Sequence, residues 1–564
     1  MSAGVLLYLW NEWRIQLLVL LSFALQVFLL VFGEIRRRSS STVLRISLWS
    51  AYLLADSTAI YALGHMSIIS EAAGEHQLMA FWAPFLLLHL GGPDNITAYS
   101  LEDNRLWLRH LQTLVVQALA AAYVLYKYMA SSGTLLLLAS ISMFVVGLLK
   151  YAVRTWALKS ASDYAPRCFH VFFLNKEVAG VEPISDEDIL FLAHKYIYRL
   201  NFEEQIVRPI EVTWLYKLIE MELSLIYDIL YTKAAVIYSW LINPAKRRLW
   251  RYSIGQYNLI HLTTRDRTKL RSRLARMIRI ENWWNKLHFS GSFLGTNSLS
   301  MQDFKVLVVK AVLKLNEPAG YIEYNARGTS SLRRRGAYKG FKFASWSVDV
   351  DFDLSILVWH IATDMYIQES DIEHDEQRRY AEAIRVLSNY MIFLLVVKPN
   401  ILPCPAKSSI SQGSNKRKSL CMTCSIEISP YTKRRTEGVR LLLAELESQV
   451  MPNPRNRHNG DVCIQMATGL ARELLAMQLS GRDKLEMIFE VWVEMMLYGA
   501  DDCSRESHAR ELSNGGEFIT IVWCLSKRLK GYKLEHDVPS SPSMDMMKTG
   551  LDESGTSHPP SSDV

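Results

Sequence analysis

The first 150 residues of this chain are poor in charge. They hold 17 of the 119 Asp, Glu, Lys and Arg residues, although the chain is 564 residues long. An unevenness of this size excludes a purely soluble protein, a secreted disulfide scaffold and a fibrous chain. It predicts a membrane region followed by a water-soluble body.

Cysteine is also scarce. The chain has seven cysteines, all between Cys168 and Cys524, so the apolar first quarter has none. An odd number at irregular spacing excludes the disulfide framework of a small secreted domain. Because free thiols suit a reducing compartment, we expect the long C-terminal part to be cytosolic.

Short catalytic motifs are missing too. We find no phosphate-binding glycine loop with its lysine, no dinucleotide fingerprint, no zinc-protease helix and no nucleophile elbow. The residues therefore give no support for an enzyme, a cofactor or a metal. A net charge of +7 is small for this length, so we expect no nucleic-acid partner.

What the first quarter does contain is apolar runs, and five of them predict five membrane-spanning helices. They cover residues 15–32, 46–63, 78–90, 111–126 and 134–149. With five spans, most basic residues of the short loops fall on one side: Arg36, Arg37, Arg38, Arg45, Arg105, Arg109, Lys150, Arg154 and Lys159. Because basic loops stay cytoplasmic, we expect a non-cytoplasmic N-terminus and a cytosolic C-terminal body.

Two apolar runs are ambiguous. The run 78–90 is short and contains Pro84, so the alternative to a span is a re-entrant segment that enters and leaves the bilayer on one side. A re-entrant segment would place the bases after residue 149 on the non-cytoplasmic side, which the rule for basic loops disfavours. The run 223–242 contains Asp228 and Lys233 and is followed by four basic residues. We expect a buried or interfacial helix there, with a sixth span as the alternative.

The predicted fold class is mostly α, with a polytopic α-helical membrane region followed by a large α-helical cytosolic body. We place the transmembrane region at 1–153, the cytosolic helical region at 154–398, a linker at 399–435, a helical C-terminal module at 436–530 and a disordered tail at 539–564. Beyond residue 150 the pattern predicts helices over 186–198, 212–242, 268–287, 303–315, 353–368 with Asp353 as N-cap, 376–397, 436–450, 461–479, 484–500 and 517–529.

Two stretches resemble a known family. Residues 81–99 read FWAPFLLLHLGGPDNITAY, and with LEDN at 101–104 and LWLRH at 106–110 they closely resemble plant proteins bearing domain of unknown function 4220. WHIATD at 359–364 and SNYM at 388–391 resemble the middle region of the same family. WVEMMLY at 492–498 and GGEF at 515–518 look like the companion domain of unknown function 594. The resemblance implies a polytopic plant membrane protein and supplies no catalytic residues.

Three constellations resemble metal or redox sites only weakly. The alternating Asp349, Asp351 and Asp353 fit either hard-cation ligands or a half-buried extended segment, and we favour the segment. His360 and Asp364 lie one helical turn apart, where a hydrogen bond is the plainer interpretation than a metal site. The C-x-x-C at 421–424 has no second pair.

A basic stretch is more informative. Residues 264–286 carry eight bases, seven of them before Glu281, with apolar residues at helical spacing among them. Two interpretations stay open: a helix lying on anionic lipid headgroups, or a surface helix whose bases face water. The candidate lipid-surface residues are Arg271, Arg273, Arg276 and Arg279.

Together these features predict a membrane-anchored scaffold or interaction protein, whose partners are the bilayer and unidentified cytosolic proteins. The alternative is a transporter or channel. It is motivated by Asp56 and His89 as candidate polar sites within the spans, because intramembrane ionisable groups and broken helices mark substrate paths.

Overall fold

The protein is described from a computed structural model. The structure describes residues 3–37, 41–68, 77–129, 134–166, 193, 212–237, 254–259, 291–293, 295–296, 298–316, 326–334, 342–403 and 459–536. Helices dominate these residues, so the predicted mostly-α class is confirmed.

The N-terminal third is a helical bundle. All five apolar runs of the first quarter lie on helices, because long uncharged segments satisfy their backbone hydrogen bonds internally. The helices are α1 (Ala3–Phe32), α2 (Thr42–Ile68), α3 (Gln77–Leu90), the short α4 (Leu101–Arg105), α5 (Trp107–Met129) and α6 (Thr134–Tyr164). Helix α3 packs against α1, α2, α5 and α6, which makes it the centre of the bundle.

The direction of the helices follows from their contacts. Along α3, Pro84 and Leu88 lie beside Gly147 of α6, and Gly91 lies beside Lys150. The two helices therefore run parallel and end at the same end of the bundle. A Cβ added at Gly147 would meet the Leu88 nitrogen at 3.0 Å, so this glycine permits their close approach.

The surface of the bundle is apolar. Among the residues whose exposure the structure describes, every exposed large hydrophobic side chain lies between Trp13 and Trp156. A water-soluble domain would bury or scatter such side chains, whereas a helix bundle in lipid presents them outward.

The body that follows is also helical. Its elements are α7 (Val212–Tyr231), α8 (Ala234–Ile237), β1 (Ile254–Gln256), β2 (Gly291–Phe293), α9 (Met301–Asn316), α10 (Thr329–Arg334), α11 (Lys342–Asp349), α12 (Phe352–Glu369), α13 (Asp375–Val397), α14 (Asn459–Ala476), α15 (Gly481–Asp501), α16 (Arg505–Leu512) and α17 (Phe518–His536). Strands β1 and β2 pair antiparallel, with Ile254 opposite Phe293. The predicted helices 303–315, 376–397, 461–479, 484–500 and 517–529 correspond to α9, α13, α14, α15 and α17.

Three tryptophans lie at the centre of the body. Trp359 on α12, Trp492 on α15 and Trp523 on α17 are fully buried. The Trp359 indole donates to Ser347 Oγ at 3.1 Å, and the Trp492 indole donates to Thr363 Oγ1 at 3.3 Å. Because the N–H groups of Trp359 and Trp492 have partners, these two large rings can be buried at little polar cost.

Four helices are long and apolar enough to cross a membrane. They are Trp13–Phe32, Trp107–Lys127 and Thr134–Tyr164 in the bundle, and Asp375–Val397 in the body. The apolar window of the body helix is 72% buried, against 17–33% for the other three. The apolar side chains of α13 therefore pack in the core of the body. Helix α2, which contains Asp56, has the length at 27 residues but falls short in apolarity, whereas α3 has only 14 residues.

The predicted helix 212–242 is wrong as a single helix. It breaks after Tyr231, where Thr232 Oγ1 accepts from the Ala234 nitrogen at 3.0 Å and Lys233 turns toward the bundle. Residues 238–242 lie outside the described part. Helix α7 is buried within the protein, as the expectation of a buried helix required.

Two local predictions around the aspartates are also wrong. The N-cap of α12 is Asp351, and Asp353 lies in the first turn. Asp349 is the last residue of α11, so the three aspartates flank a helix junction and form no extended segment. The physical reason is packing: Val348 and Phe352 are both buried across this junction.

The predicted helices 268–287 and 436–450 lie outside the described residues, as does 186–198 apart from Ala193. Most of the predicted linker 399–435 and the whole predicted tail 539–564 also lie outside them.

Candidate functional site

An ion pair joins the second and sixth helices of the bundle. Arg154 donates from Nη1 to Asp56 Oδ1 at 2.8 Å and from Nη2 to Asp56 Oδ2 at 3.0 Å. The Arg154 side chain is 3% exposed and that of Asp56 is 25% exposed. A bidentate pair of this kind is strong and orientation-specific, and it neutralises both charges within an apolar bundle.

The same guanidinium also closes the end of α3. Arg154 Nη1 donates to the Leu90 carbonyl at 2.7 Å. The last carbonyls of a helix have no partner within it, so a cation there satisfies an acceptor and opposes the helix dipole. Arg154 thereby holds α2, α3 and α6 together at one point.

His89, the second predicted polar site, is bonded to α1. Its Nδ1 lies 2.9 Å from Ser22 Oγ, and its carbonyl accepts from Gln26 Nε2 at 3.0 Å. The ring packs against Phe85 at 4.3 Å between centroids and against Phe23 at 6.1 Å. Both predicted sites are therefore engaged within the bundle, and each bonds a different pair of helices.

The loop that follows α3, residues 91–99, connects the bundle to the body; we name it the 91–99 segment. Lys233, fully buried after α7, donates from Nζ to the Gly92 carbonyl at 2.9 Å and to Asp94 Oδ1 at 3.0 Å. Its backbone nitrogen donates to the Asp94 carbonyl at 3.1 Å, and Thr97 N donates to the Tyr231 carbonyl at 2.8 Å. Burial lowers the pKa of Lys233 to about 8, although Asp94 partly opposes that shift.

The segment also holds the end of α1. Asn95 Nδ2 donates to the Leu30 carbonyl at 2.7 Å. The Arg36 guanidinium lies 4.0 Å from the centroid of the Tyr99 ring and donates to the Tyr99 carbonyl. The Tyr99 hydroxyl donates to the Arg45 carbonyl at the start of α2, at 2.9 Å. The loop that follows α3 thus fixes the end of α1 and the start of α2.

The C-terminal module completes this junction. The Tyr231 hydroxyl donates to the Ala509 carbonyl at 3.0 Å, and Arg45 donates to the Asn514 carbonyl at 3.2 Å. Arg528 donates from Nη2 to both carboxylate oxygens of the fully buried Glu222 of α7, at 2.6 and 2.8 Å. Burial raises the pKa of Glu222, and Arg528 opposes that shift.

Two cross-helix pairs lie at the surface of the same junction. Arg105 bonds Glu506 at 2.7 Å and Arg510 bonds Glu102 at 2.8 Å, with each side chain at least half exposed. They join α4 to α16 at the rim, where exposed ion pairs contribute about 0–1 kcal/mol each.

The weaker predicted constellations are placed differently from expectation. His360 is buried and its Nδ1 lies 2.7 Å from Ser388 Oγ on α13, while Asp364 accepts from Gln368. The predicted bond between His360 and Asp364 is therefore wrong. Within the described residues no group of three His, Cys, Asp or Glu side chains is placed to hold a metal. Arg271, Arg273, Arg276 and Arg279 lie outside the described residues, as does the C-x-x-C at 421–424.

Sequence reasoning missed the roles of Arg154 and Lys233. From the sequence, Arg154 is only a base that orients the chain across a membrane, and Lys233 is only a charge that makes a span over 223–242 costly. A usable signal was available: Asp56 interrupts an apolar run, and Arg154 lies one to two turns beyond the end of another. A lone acid in one span and a lone base at the end of another span can neutralise each other.

The geometry defines a class of protein: an apolar helix bundle that is joined to a helical body by hydrogen bonds and ion pairs. Residues 49–204 and 187–245 match the model of the Domain of unknown function (DUF4220), and residues 477–528 match that of the Protein of unknown function, DUF594. The chain therefore carries a DUF4220 region followed by a DUF594 region, in the order that the resemblance predicted. Residues 359–364 and 388–391, which also resemble the first family, lie outside both matched regions. The 91–99 segment lies in the first, and Arg528 is the last matched residue of the second. No curated protein and no solved structure matches the chain.

Proposed function

We propose that this protein is a multi-pass membrane-anchored scaffold, in which the bundle crosses the bilayer five times and holds the helical body at the cytosolic face. The apolar exposed surface between Trp13 and Trp156 supports insertion of the bundle. The bases at the end where α1, α3 and α6 terminate support a cytosolic placement of that end.

The observation that carries the proposal is the 91–99 segment. It bonds α1 through Asn95, α7 through Lys233 and the start of α2 through Tyr99. A body held at several points by hydrogen bonds and ion pairs keeps a fixed position relative to the bilayer. A fixed platform suits recruitment of cytosolic proteins to a membrane.

The competing function is a transporter or channel. Asp56 and His89 lie on bundle helices, and Pro84 lies inside α3, which are features of substrate paths. Both oxygens of Asp56 are bonded to Arg154, and His89 is bonded to Ser22. Occupied side chains favour a structural role, because a coordinating carboxylate needs free oxygens.

The proposal assigns no reaction to the chain. Its partners are the bilayer and cytosolic proteins, with anionic headgroups as a further partner of Arg271, Arg273, Arg276 and Arg279. The charge of that stretch supports lipid contact, since each base near an anionic leaflet contributes about 1 kcal/mol. Reversing the charge of Arg271, Arg273 and Arg276 in the full chain is expected to leave the bundle inserted and to weaken contact with anionic lipid only.

Two measurements distinguish the functions. A promiscuous biotin ligase fused after Val564 is expected to label a recurrent set of cytosolic proteins, which the same ligase on an unrelated anchor in the same membrane does not label. Purified protein in proteoliposomes is expected to pass none of a panel of ions and small metabolites. Flux that Asp56→Asn abolishes, while the Arg510→Gln control retains it, would replace the scaffold with a transporter.

A further inference from the structure

The body contains a cavity that none of the junction residues described above lines. Its volume is about 460 Å³, and it lies between the paired strands β1 and β2, the end of α12 and the first half of α13. Ligand pockets for small molecules typically measure about 300–1,000 Å³. The cavity is therefore large enough for a small organic molecule.

The cavity wall formed by β1 and the residue after it is held in place by α13. Gln256 Nε2 donates to the Val386 carbonyl at 3.1 Å, and the Tyr257 nitrogen donates to the Asn389 carbonyl at 3.1 Å. Gly255 packs directly on the Phe393 ring, where a Cβ would have no room. The wall is thus fixed by the fold, and a ligand need not order it.

The lining combines an apolar floor with a charged rim. Phe293, Ile367 and Val386 supply apolar surface. Arg378 and Arg385 supply two positive charges and Glu382 supplies one negative charge, so the charged lining is positive in sum. Such a combination fits a ligand with an apolar part and a charged group.

The charges at the rim come from one face of α13. Arg378, Glu382 and Arg385 stand at i, i+4 and i+7, which places them on the same side of the helix. Glu382 accepts a hydrogen bond from Ser298, and Arg378 makes an exposed pair with Asp375 at 3.4 Å. Within the part of the chain that the structure describes, no hydrogen bond or ion pair engages Arg385.

We propose that this cavity binds a small organic anion, a phosphate monoester with a short apolar group. Its phosphate lies against Arg385, with Arg378 adding positive charge, and its apolar part lies over Phe293, Ile367 and Val386. The planar guanidinium matches the oxygens of a phosphate in two parallel bonds. The monoester comes either from a soluble metabolite or from a lipid headgroup. This site is independent of the scaffold proposal.

The test is calorimetric titration of the detergent-solubilised full chain. Hexyl phosphate represents a soluble monoester, and dihexanoyl phosphatidic acid represents a lipid headgroup. Saturable binding of either supports the site, and the tighter of the two identifies the source. Hexanol is expected to bind much more weakly, because it lacks the charged group.

Matched variants on α13 locate the site. Arg385→Gln is expected to weaken binding about tenfold or more, because a hydrogen bond to a charged group contributes about 1.5–3 kcal/mol. Arg379→Gln alters an exposed arginine of the same helix that does not line the cavity, and binding is expected to stay within about twofold of wild type. Equal thermal unfolding of the two variants shows that both are folded.

Three outcomes overturn the proposal. Neither probe saturates; hexanol binds as tightly as hexyl phosphate; or Arg385→Gln binds like Arg379→Gln. None of these outcomes bears on whether the body recruits proteins to a membrane, so failure here is distinguishable from failure of the scaffold.

Discussion

Arg154, near the end of α6, donates both terminal nitrogens of its guanidinium to the two carboxylate oxygens of Asp56 on α2. The pair spans 98 residues of sequence. Arg154 also donates a third bond, to the Leu90 carbonyl, which connects it to the central helix α3. A single side chain thus fixes the relative positions of three bundle helices at the end that faces the body.

Removal of this guanidinium is expected to destabilise the protein strongly. Arg154→Met leaves the Asp56 carboxylate without its partner, and breaking a buried pair costs about 3–5 kcal/mol. The double variant Asp56→Leu with Arg154→Met is expected to recover much of the loss, since an apolar replacement leaves no unpaired charge. Equilibrium unfolding of detergent-solubilised protein measures both.

The matched control for that experiment is Arg510→Gln. This residue also pairs with an acid at 2.8 Å, but both partners are half exposed. Its cost is expected to stay below about 1 kcal/mol. An Arg154→Met variant as stable as Arg510→Gln would show that the bundle does not depend on the Asp56 pair.

The burial of Lys233 makes the free energy of unfolding depend on pH in the alkaline range. Burial lowers its folded pKa from 10.5 to about 8, so between these values the unfolded chain binds a proton that the folded chain has lost. Wild-type stability is therefore expected to rise with pH across this window relative to Lys233→Met, by about 3 kcal/mol at most. Denaturant titrations at a series of pH values measure the difference.

The control is Lys310→Met, at an exposed lysine of α9. Its stability is expected to follow the wild-type curve through the same pH range. Parallel curves for wild type and Lys233→Met would contradict the buried, charge-opposing environment of Lys233.

Much of the helical framework is predictable from the sequence, because it depends on local pattern. The uncharged runs in α1, α5 and α6 are long, and a long apolar run satisfies its backbone hydrogen bonds as a helix. The pattern of these runs therefore predicts the helices directly. Helices α9 and α13 likewise follow from apolar period and from Pro399, which ends the helical pattern. Such signals lie within one element, so a reader of the sequence can find them.

Contacts across the chain were not predictable in the same way. The break between Tyr231 and Ala234 sits inside an apolar run, and it exists because Lys233 bonds the 91–99 segment. His360 bonds Ser388 on another helix although Asp364 lies one turn away. Here tertiary partners override local spacing, and only the folded arrangement reveals them.

His508 makes the C-terminal module sensitive to acid. Its Nε2 lies 3.1 Å from the Ala500 carbonyl, its Nδ1 lies 3.1 Å from Thr520 Oγ1, and its ring stacks on Trp523. Burial lowers its pKa from 6.5 to about 4. Below pH 6.5 the His508 imidazole takes up a proton in the unfolded chain but not in the folded chain. The free energy of unfolding therefore decreases as the pH falls toward 4.

The variant His508→Gln cannot titrate in this range. Its stability at neutral pH is expected to be lower than that of wild type, because the stacking on Trp523 is lost, but its decline between pH 6.5 and 4 is expected to be shallower by up to about 3 kcal/mol. His374→Gln, at an exposed histidine before α13, serves as the control and should decline like wild type. Identical slopes for all three proteins would exclude His508 as the acid-sensitive group.

The last prediction concerns which side of the membrane the 91–99 segment faces. It contains the single glycosylation sequon of the chain, Asn95-Ile96-Thr97. If α3 crosses the bilayer, as the five-span proposal requires, Asn95 lies in the cytosol and never meets the lumenal glycosylation machinery. Its amide nitrogen is also engaged with the Leu30 carbonyl at 2.7 Å, at the end of α1 that the basic residues follow.

We therefore expect Asn95 to be bare when the protein is made through the secretory pathway, and a tag after Val564 to be digested by protease added to intact microsomes. A sequon placed in a short extension before Met1 is expected to be glycosylated, since five crossings put the two ends on opposite sides. The extension also serves as the positive control for access to the glycosylation machinery. A glycan on Asn95, or a protected tag after Val564, would place the segment and the body outside the cytosol and remove the five-span arrangement, because the bonds of Lys233 to Gly92 and Asp94 hold the two on the same side.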